Sequence, residues 1–370
     1  MLLFSGFLGL LMAGLAAGFL PDAGHDPDAD HAETDDGMTD HGSGGTVLEP
    51  EPAPDPEPEP EPAPEDPAAG GSETGSDTSV TTLPGYPEPP GDPEASPDPT
   101  EDSDILWGDL FNDTIDGLGG DDQIDGAEGD DSLQGGAGDD SLQGGVGDDT
   151  LDGGDGDDSL AGEDGDDSLR GDVGDDTLAG YLGDDSLLGG EGADSLLGGA
   201  GDDSLEGDAG NDSLQGNDGD DTLTGGPGTD ELFGGAGADL LNGVVPSDEI
   251  GNMDADGADY LNGGAGADTL MTGSGDWDAG GEDDDLFVLG DWIDPAMPAT
   301  IADYDSGADQ IVVVYDPESD AAPELTLEPS DIEGNLWVAL NGTRLAEVID
   351  AGDLTASDVL LITPAELAAL

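Results

Sequence analysis

An aspartate returns every nine residues along the middle of this chain: Asp104, Asp113, Asp122, Asp131, Asp140, Asp149, Asp158, Asp167, Asp176, Asp185, Asp194, Asp203, Asp212, Asp221, Asp230 and Asp239. After one interruption the pattern resumes at Asp259 and Asp268, and Asp285 stands in its last turn. Carboxylates at fixed spacing are hard oxygen donors, and the chemistry they suit is the binding of a hard cation such as Ca2+. The rest of the inventory narrows the choice. The 370 residues include 93 Asp and Glu against 2 Lys and Arg, with no Cys and a formal net charge of -91. Without Cys there is no thiolate catalysis, no disulfide and no Cys-type zinc site. Without Lys there is no P-loop and no Schiff base. Arg170 and Arg344 alone cannot grip a phosphate backbone, so nucleic acid and anionic lipid are excluded as partners on electrostatic grounds. His25, His31 and His41 fall in an acidic stretch without apolar periodicity, which offers no imidazole to a packed active site.

The elements that position these aspartates follow from their neighbours. Two residues after each Asp stands an aliphatic side chain, Leu106, Ile115, Ile124, Leu133 and onward in phase to Leu241, and a Gly precedes that side chain by four residues from Gly120 to Gly237. A repeat such as GGAGDDSLQ, residues 135–143, therefore reads as a Gly-rich turn followed by a three-residue strand. One repeat cannot bury its Leu. Two in succession make a flattened coil of eighteen residues whose Leu side chains meet inside, and coils stack in register into two Leu columns. Stacking also superposes the aspartates about 4.8 Å apart. Two such charges repel by about 0.9 kcal/mol even at the dielectric of water. A calcium ion reverses that sign by taking oxygens from carboxylates and turn carbonyls of adjacent coils, so binding and folding are coupled.

The period resembles the RTX, or haemolysin-type, nonapeptide Gly-Gly-x-Gly-x-Asp-x-U-x, over about residues 104–270. The resemblance implies an all-β fold, a parallel β-roll (a right-handed β-solenoid, as in serralysin-like proteins), with multiple Ca2+ ions held by the sixth-position Asp of each repeat. It also implies export through type I secretion machinery. Departures are Phe111 in place of the fourth-position Gly, and substitutions of the second Gly at Asp109, Glu163 and Asn217, where weaker binding is expected.

Four segments are expected. Residues 1–21 hold an uncharged apolar run, 2–20, long enough in a helix to cross a bilayer at about 28 Å, which reads as a membrane anchor or a signal peptide. Residues 22–102 form a disordered, acidic, Pro-rich linker, extended through the Pro alternation of 49–67. The roll occupies 103–290, with an insertion near 243–256 because Leu261 follows Leu241 by twenty residues instead of nine. Asn252 to Gly263 imitates an EF-hand loop, but Asn252 and Gly263 occupy positions where carboxylates belong, so the roll is the better reading. Past Met271 the period decays, with Trp277 where an Asp was due.

Residues 291–370 read as a small β cap, with strands near 300–304, 310–315, 325–327, 336–340, 345–349 and 359–362 and a secretion signal near 363–370. The expected function is non-enzymatic: calcium binding in a secreted or cell-surface protein. The alternatives are a calcium-dependent adhesin or surface-structural protein, or a secreted hydrolase working with carboxylates alone in the cap.

Overall fold

The computed structural model describes residues 99–245, 254, 257–318 and 322–369. The apolar run, the Pro-rich stretch and the three histidines lie outside them, and among the described residues no helix is long and apolar enough to cross a membrane.

The described chain is a parallel β-solenoid. Successive strands alternate between two sheets, one of 14 strands and one of 12. Strand Ser141–Val146 pairs in parallel with Ser159–Asp164, placing Leu142 beside Leu160; on the opposite sheet Ser132–Ala137 pairs with Thr150–Asp155, placing Leu133 beside Leu151. The two Leu columns meet inside, and their members from Ile124 to Leu270 are almost wholly removed from solvent. Most strands run for six residues, twice the expected length. The alternation explains the extension: in Ser141–Val146 both Leu142 and Gly144 face inward. The strand therefore passes through the Gly that opens the next repeat, because that Gly contributes a ladder position without filling the interior.

The fourth-position Gly marks the closest approach between coils. Gly138 has φ of 133°, and a Cβ there would stand 2.2 Å from the carbonyl oxygen of Gly120 in the preceding coil. Phe111 escapes this constraint because it lies in the first turn of its sheet, where its side chain is 73% exposed.

The interruption leaves the register intact. Leu232 pairs with Leu261 and Leu241 with Leu270, so the Leu columns continue across the interruption without a slip. The next coil is one residue short, and that corrects the expectation at Trp277. The Asp due there is Asp276, which lies 17 residues after Asp259 and occupies the expected place in the stack.

The cap prolongs both sheets. Trp277–Glu282 pairs with Ala299–Ile301 and that strand with Thr343–Val348, while Leu286–Gly290 pairs with Gln310–Val314 and that strand with Val359–Ile362, all parallel. Leu336–Leu340 and Leu325–Pro329 then close one sheet as antiparallel strands. Pro329 on the outermost strand lacks an N–H and discourages further pairing there. The last described element is one helical turn, Pro364–Leu367, where Glu366 accepts the backbone N–H of Thr363 at 2.8 Å.

Candidate metal centre

Each sixth-position Asp sits where the chain leaves a turn to enter a strand. Its backbone N–H has no partner strand and is met by a carboxylate of the following coil. Oδ1 of Asp140 accepts the N–H of Asp122, and Oδ1 of Asp158 that of Asp140, each at 2.7 Å. The same bond links Asp104, Asp122, Asp140, Asp158, Asp176, Asp194, Asp212, Asp230 and Asp259 along one edge at 2.7–2.9 Å. Along the other edge it links Asp113, Asp131, Asp149, Asp167, Asp185, Asp203, Asp221, Asp239, Asp268 and Asp285 at 2.7–3.0 Å. The sequence-derived positions thus form two continuous ladders.

The second oxygen is the notable one. In Asp140, Asp149, Asp158, Asp167 and their equivalents through Asp221, Oδ2 is buried and receives no hydrogen bond. It points into space that the first Gly of its own repeat leaves open. A Cβ on Gly135 would lie 2.4 Å from Oδ2 of Asp140 and 2.8 Å from the carbonyl oxygen of Gly153, one coil further on. A carboxylate oxygen and a carbonyl oxygen from successive coils therefore converge on one small cradle. Buried oxygens without donors are costly, whereas Ca2+ takes such oxygens at about 2.3–2.6 Å. The donor set fits Ca2+ on its chemistry: hard oxygens only, one of them charged, repeated at both edges. The ladder's start differs. Oδ2 of Asp104 accepts the N–H of Thr100 and Oδ2 of Asp113 that of Asp109, each at 2.7 Å, so protein donors already serve both.

Burial raises the ladder carboxyls from Asp122 to Asp221 above their ordinary value, opposed by the hydrogen bond from the preceding coil and assisted by neighbouring carboxylates. Asp140 and Asp149 are lifted to about 6, and Asp158, Asp185 and Asp239 to about 7. No cationic side chain offsets this along most of the roll. Arg170 pairs with Asp172, and Arg344 lies in the cap, 3.4 Å from Glu328.

Sequence reasoning missed three features. Asp276 joins the first ladder and Asp309 the second, Oδ1 of Asp309 accepting the N–H of Asp285 at 3.2 Å. The fifth-position aspartates form an outer, exposed ladder of opposite polarity: Oδ1 of Asp139 accepts the N–H of Asp157, and Oδ1 of Asp157 that of Asp175, at 3.2 and 3.0 Å. The recurring Asp-Asp pair was the available signal.

The family model of the RTX calcium-binding nonapeptide repeat (4 copies) matches this chain in overlapping segments from 99 to 241 and again over 254–276. No curated protein matches it. Among solved structures it is similar to the extracellular lipase LipA from Serratia marcescens, at 17% identity and a TM-score of 0.20, over 46% of this chain and 40% of that one. The chain thus spans about two fifths of that lipase's length. With the nonapeptide phase, the parallel solenoid and the stacked aspartates in agreement, residues 99–276 belong to the RTX calcium-binding nonapeptide-repeat family.

Proposed function

We propose that this protein is a calcium-gated fold that works outside the cell, with Ca2+ seated in the turns between stacked sixth-position aspartates. The observation that carries the reading is the row of buried Oδ2 atoms without donors, several of them, as at Asp140, Asp176, Asp194 and Asp212, beside a carbonyl of the next coil. The aspartates from Asp122 to Asp285 are the ligands, and Asp104 and Asp113, whose Oδ2 atoms are already engaged, bind more weakly. Sites of this kind fill at the calcium levels typical of extracellular modules, about 0.1–1 mM, and stay empty where calcium is scarce. The chain is then unfolded before export through type I secretion machinery and folds on release. Residues 2–20 act as an anchor or a signal, and 22–102 as an extended linker between that segment and the roll.

The proposal is of a binding protein and not an enzyme: with neither Lys nor Cys, and with all three histidines upstream of the roll, chemistry would fall to carboxylates alone. Calcium titration followed by far-UV circular dichroism and small-angle scattering is the test. Compaction and β signal should appear together as calcium rises, with magnesium a poor substitute because it resists dehydration and demands tight octahedral geometry. A compact β signal in excess chelator would show that Leu stacking alone suffices and end the proposal.

A further inference from the structure

The outer face of the 14-stranded sheet changes character where the roll runs into the cap. From Gln123 to Gln215 the two residues flanking each inward Leu or Ile on this sheet are Ser, Thr, Gln, Asp, Ala or Leu, and none is aromatic. The next three strands bring Phe233, Tyr260 and Trp277 to these flanking positions. Paired residues of adjacent strands point to one face, so the register fixes a single column outside the core: Tyr260 beside Trp277, Trp277 beside Thr300, Thr300 beside Glu347 and Glu347 beside Trp337. Phe233 joins it from the side, its ring centroid 5.6 Å from that of Tyr260. At the usual strand spacing the column runs about 19 Å from Tyr260 to Trp337.

These rings are only partly covered. Trp277 is 46% exposed, and Phe233, Tyr260 and Trp337 are half-buried. Aromatic side chains stabilise a fold chiefly through the large area they bury, and the preceding strands manage with Ser and Thr at the same places, so folding alone does not account for four rings here. Between the rings the column is polar. Glu347 is held in position, its Oε1 accepting the hydroxyl of Ser330 and, at 3.1 Å, the amide of Asn335. The amide of Asn262 donates to the hydroxyl of Tyr260 at 3.4 Å, and the guanidinium of Arg344 lies 4.9 Å from the Trp337 ring centre.

Rings alternating with hydrogen-bonding groups suit a ligand that is apolar on its faces and hydroxylated round its rim. A sugar ring is built in that way: its C–H groups rest on the electron-rich face of an aromatic ring, and its hydroxyls meet the carboxylate, amide and hydroxyl groups alongside. A protein partner fits less well, because the cores of protein interfaces shed charged residues and this column has Glu347 near its middle. Anionic ligands are repelled by a chain of net charge -91. The geometry points to a binding face for a neutral glycan chain lying along the solenoid axis, with Tyr260, Trp277 and Trp337 stacking on sugar rings and Asn262, Thr300 and Glu347 meeting the hydroxyls between them. This function is additional to calcium binding and depends only on the two sheets being formed, not on which turns hold ions.

The test is affinity electrophoresis of the full chain, with calcium present, in native gels containing hydroxyethylcellulose, xylan, galactomannan or laminarin, and alginate as the anionic control. At least one neutral glycan should retard the protein, and alginate should not. In that gel Trp277→Ala and Trp337→Ala should each weaken binding about tenfold. Trp107→Ala removes an exposed indole from the first strand of the roll and should leave the retardation as it was. Far-UV circular dichroism identifies a variant that has lost its fold; if Trp277→Ala has, Trp277→Thr decides, since the repeat itself carries Thr at that position. No retardation in any neutral gel, retardation by alginate alone, or retardation that survives both substitutions on the column overturns the proposal. Self-association of the chain that disappears in Trp277→Thr, without any glycan binding, would assign the face to a second copy and overturn it as well.

Discussion

The roll and the cap share two sheets but are held together differently. In the roll each nine-residue repeat from Asp122 to Leu241 buries one aliphatic side chain and one carboxylate. In the cap a single strand, Gln310–Val314, buries Ile311, Val312, Val313 and Val314, and Phe287 packs beside Tyr304 with ring centroids 6.5 Å apart. The cap's strands can be held by apolar burial alone. On the proposed reading the roll's cannot, because its edges carry charge that a core of one aliphatic side chain per repeat does not offset. On the same reading one backbone path serves a self-sufficient end and an ion-dependent body, and the boundary falls where Leu gives way to Val, Ile and aromatic residues.

Removing calcium should break the comparison open. In excess chelator, hydrogen exchange should show the amides of strands from Gln123–Glu128 to Ser213–Asp218 losing protection wholesale, while Gln310–Val314 and Leu336–Leu340 stay protected. Equal loss in both regions would mean that the cap leans on the roll. Next in size is Leu160→Asp, which places an unpaired charge in a column 2% exposed. It should cost several kcal/mol locally, seen as a lower calcium-saturated β signal; an unchanged spectrum would contradict the paired-column core.

Smaller still is Asp140→Asn with Asp158→Asn. This pair should weaken calcium binding in its own coils and leave distant repeats filled, because solenoid coils interact chiefly with their neighbours. Site-resolved NMR titration would check it, and uniform loss along the roll would sink the nearest-neighbour account.

The smallest effect is that of pH. Ladder carboxyls raised to about 6 or 7 by burial hold protons in the folded, calcium-free roll that an unfolded Asp, at its ordinary 3.8, releases. Stability without calcium should therefore rise as pH falls from about 7 and level off once unfolded aspartates are protonated as well. Calcium should bind less well over the same interval, since protons compete for the same oxygens. The cap should respond little. A calcium-free roll that loosens on mild acidification would show the sign to be wrong.

Much of this architecture is legible in the amino-acid sequence. The nine-residue phase of Leu and Asp dictates the coil, the two columns and both inner ladders, because a stacked coil repeats in space whatever repeats along the chain. The cap's strands are visible too: the run 310–315 corresponds to Gln310–Val314, and 336–340 to Leu336–Leu340, both marked by β-branched and aromatic residues between turns. What stays hidden depends on spacings other than nine. Asp276 reaches the ladder through a coil of 17 residues, and Asp309 joins it 24 residues after Asp285. No periodicity announces either. The outer ladder shows in the sequence as a doublet of aspartates, but the opposite direction of its hydrogen bonds belongs to backbone geometry alone.

The strict alternation of strands between the two sheets has one further consequence, and it concerns counting. Each repeat is half a coil, so adding one nonapeptide advances the end of the roll by about 2.4 Å and turns it by about half a revolution. An even change in repeat number returns the N-terminal end to the same side of the axis as before, and an odd change sends it to the opposite side. Repeat number therefore sets an azimuth as well as a length, and parity alone decides on which flank of the cap the segment preceding Asp104 emerges.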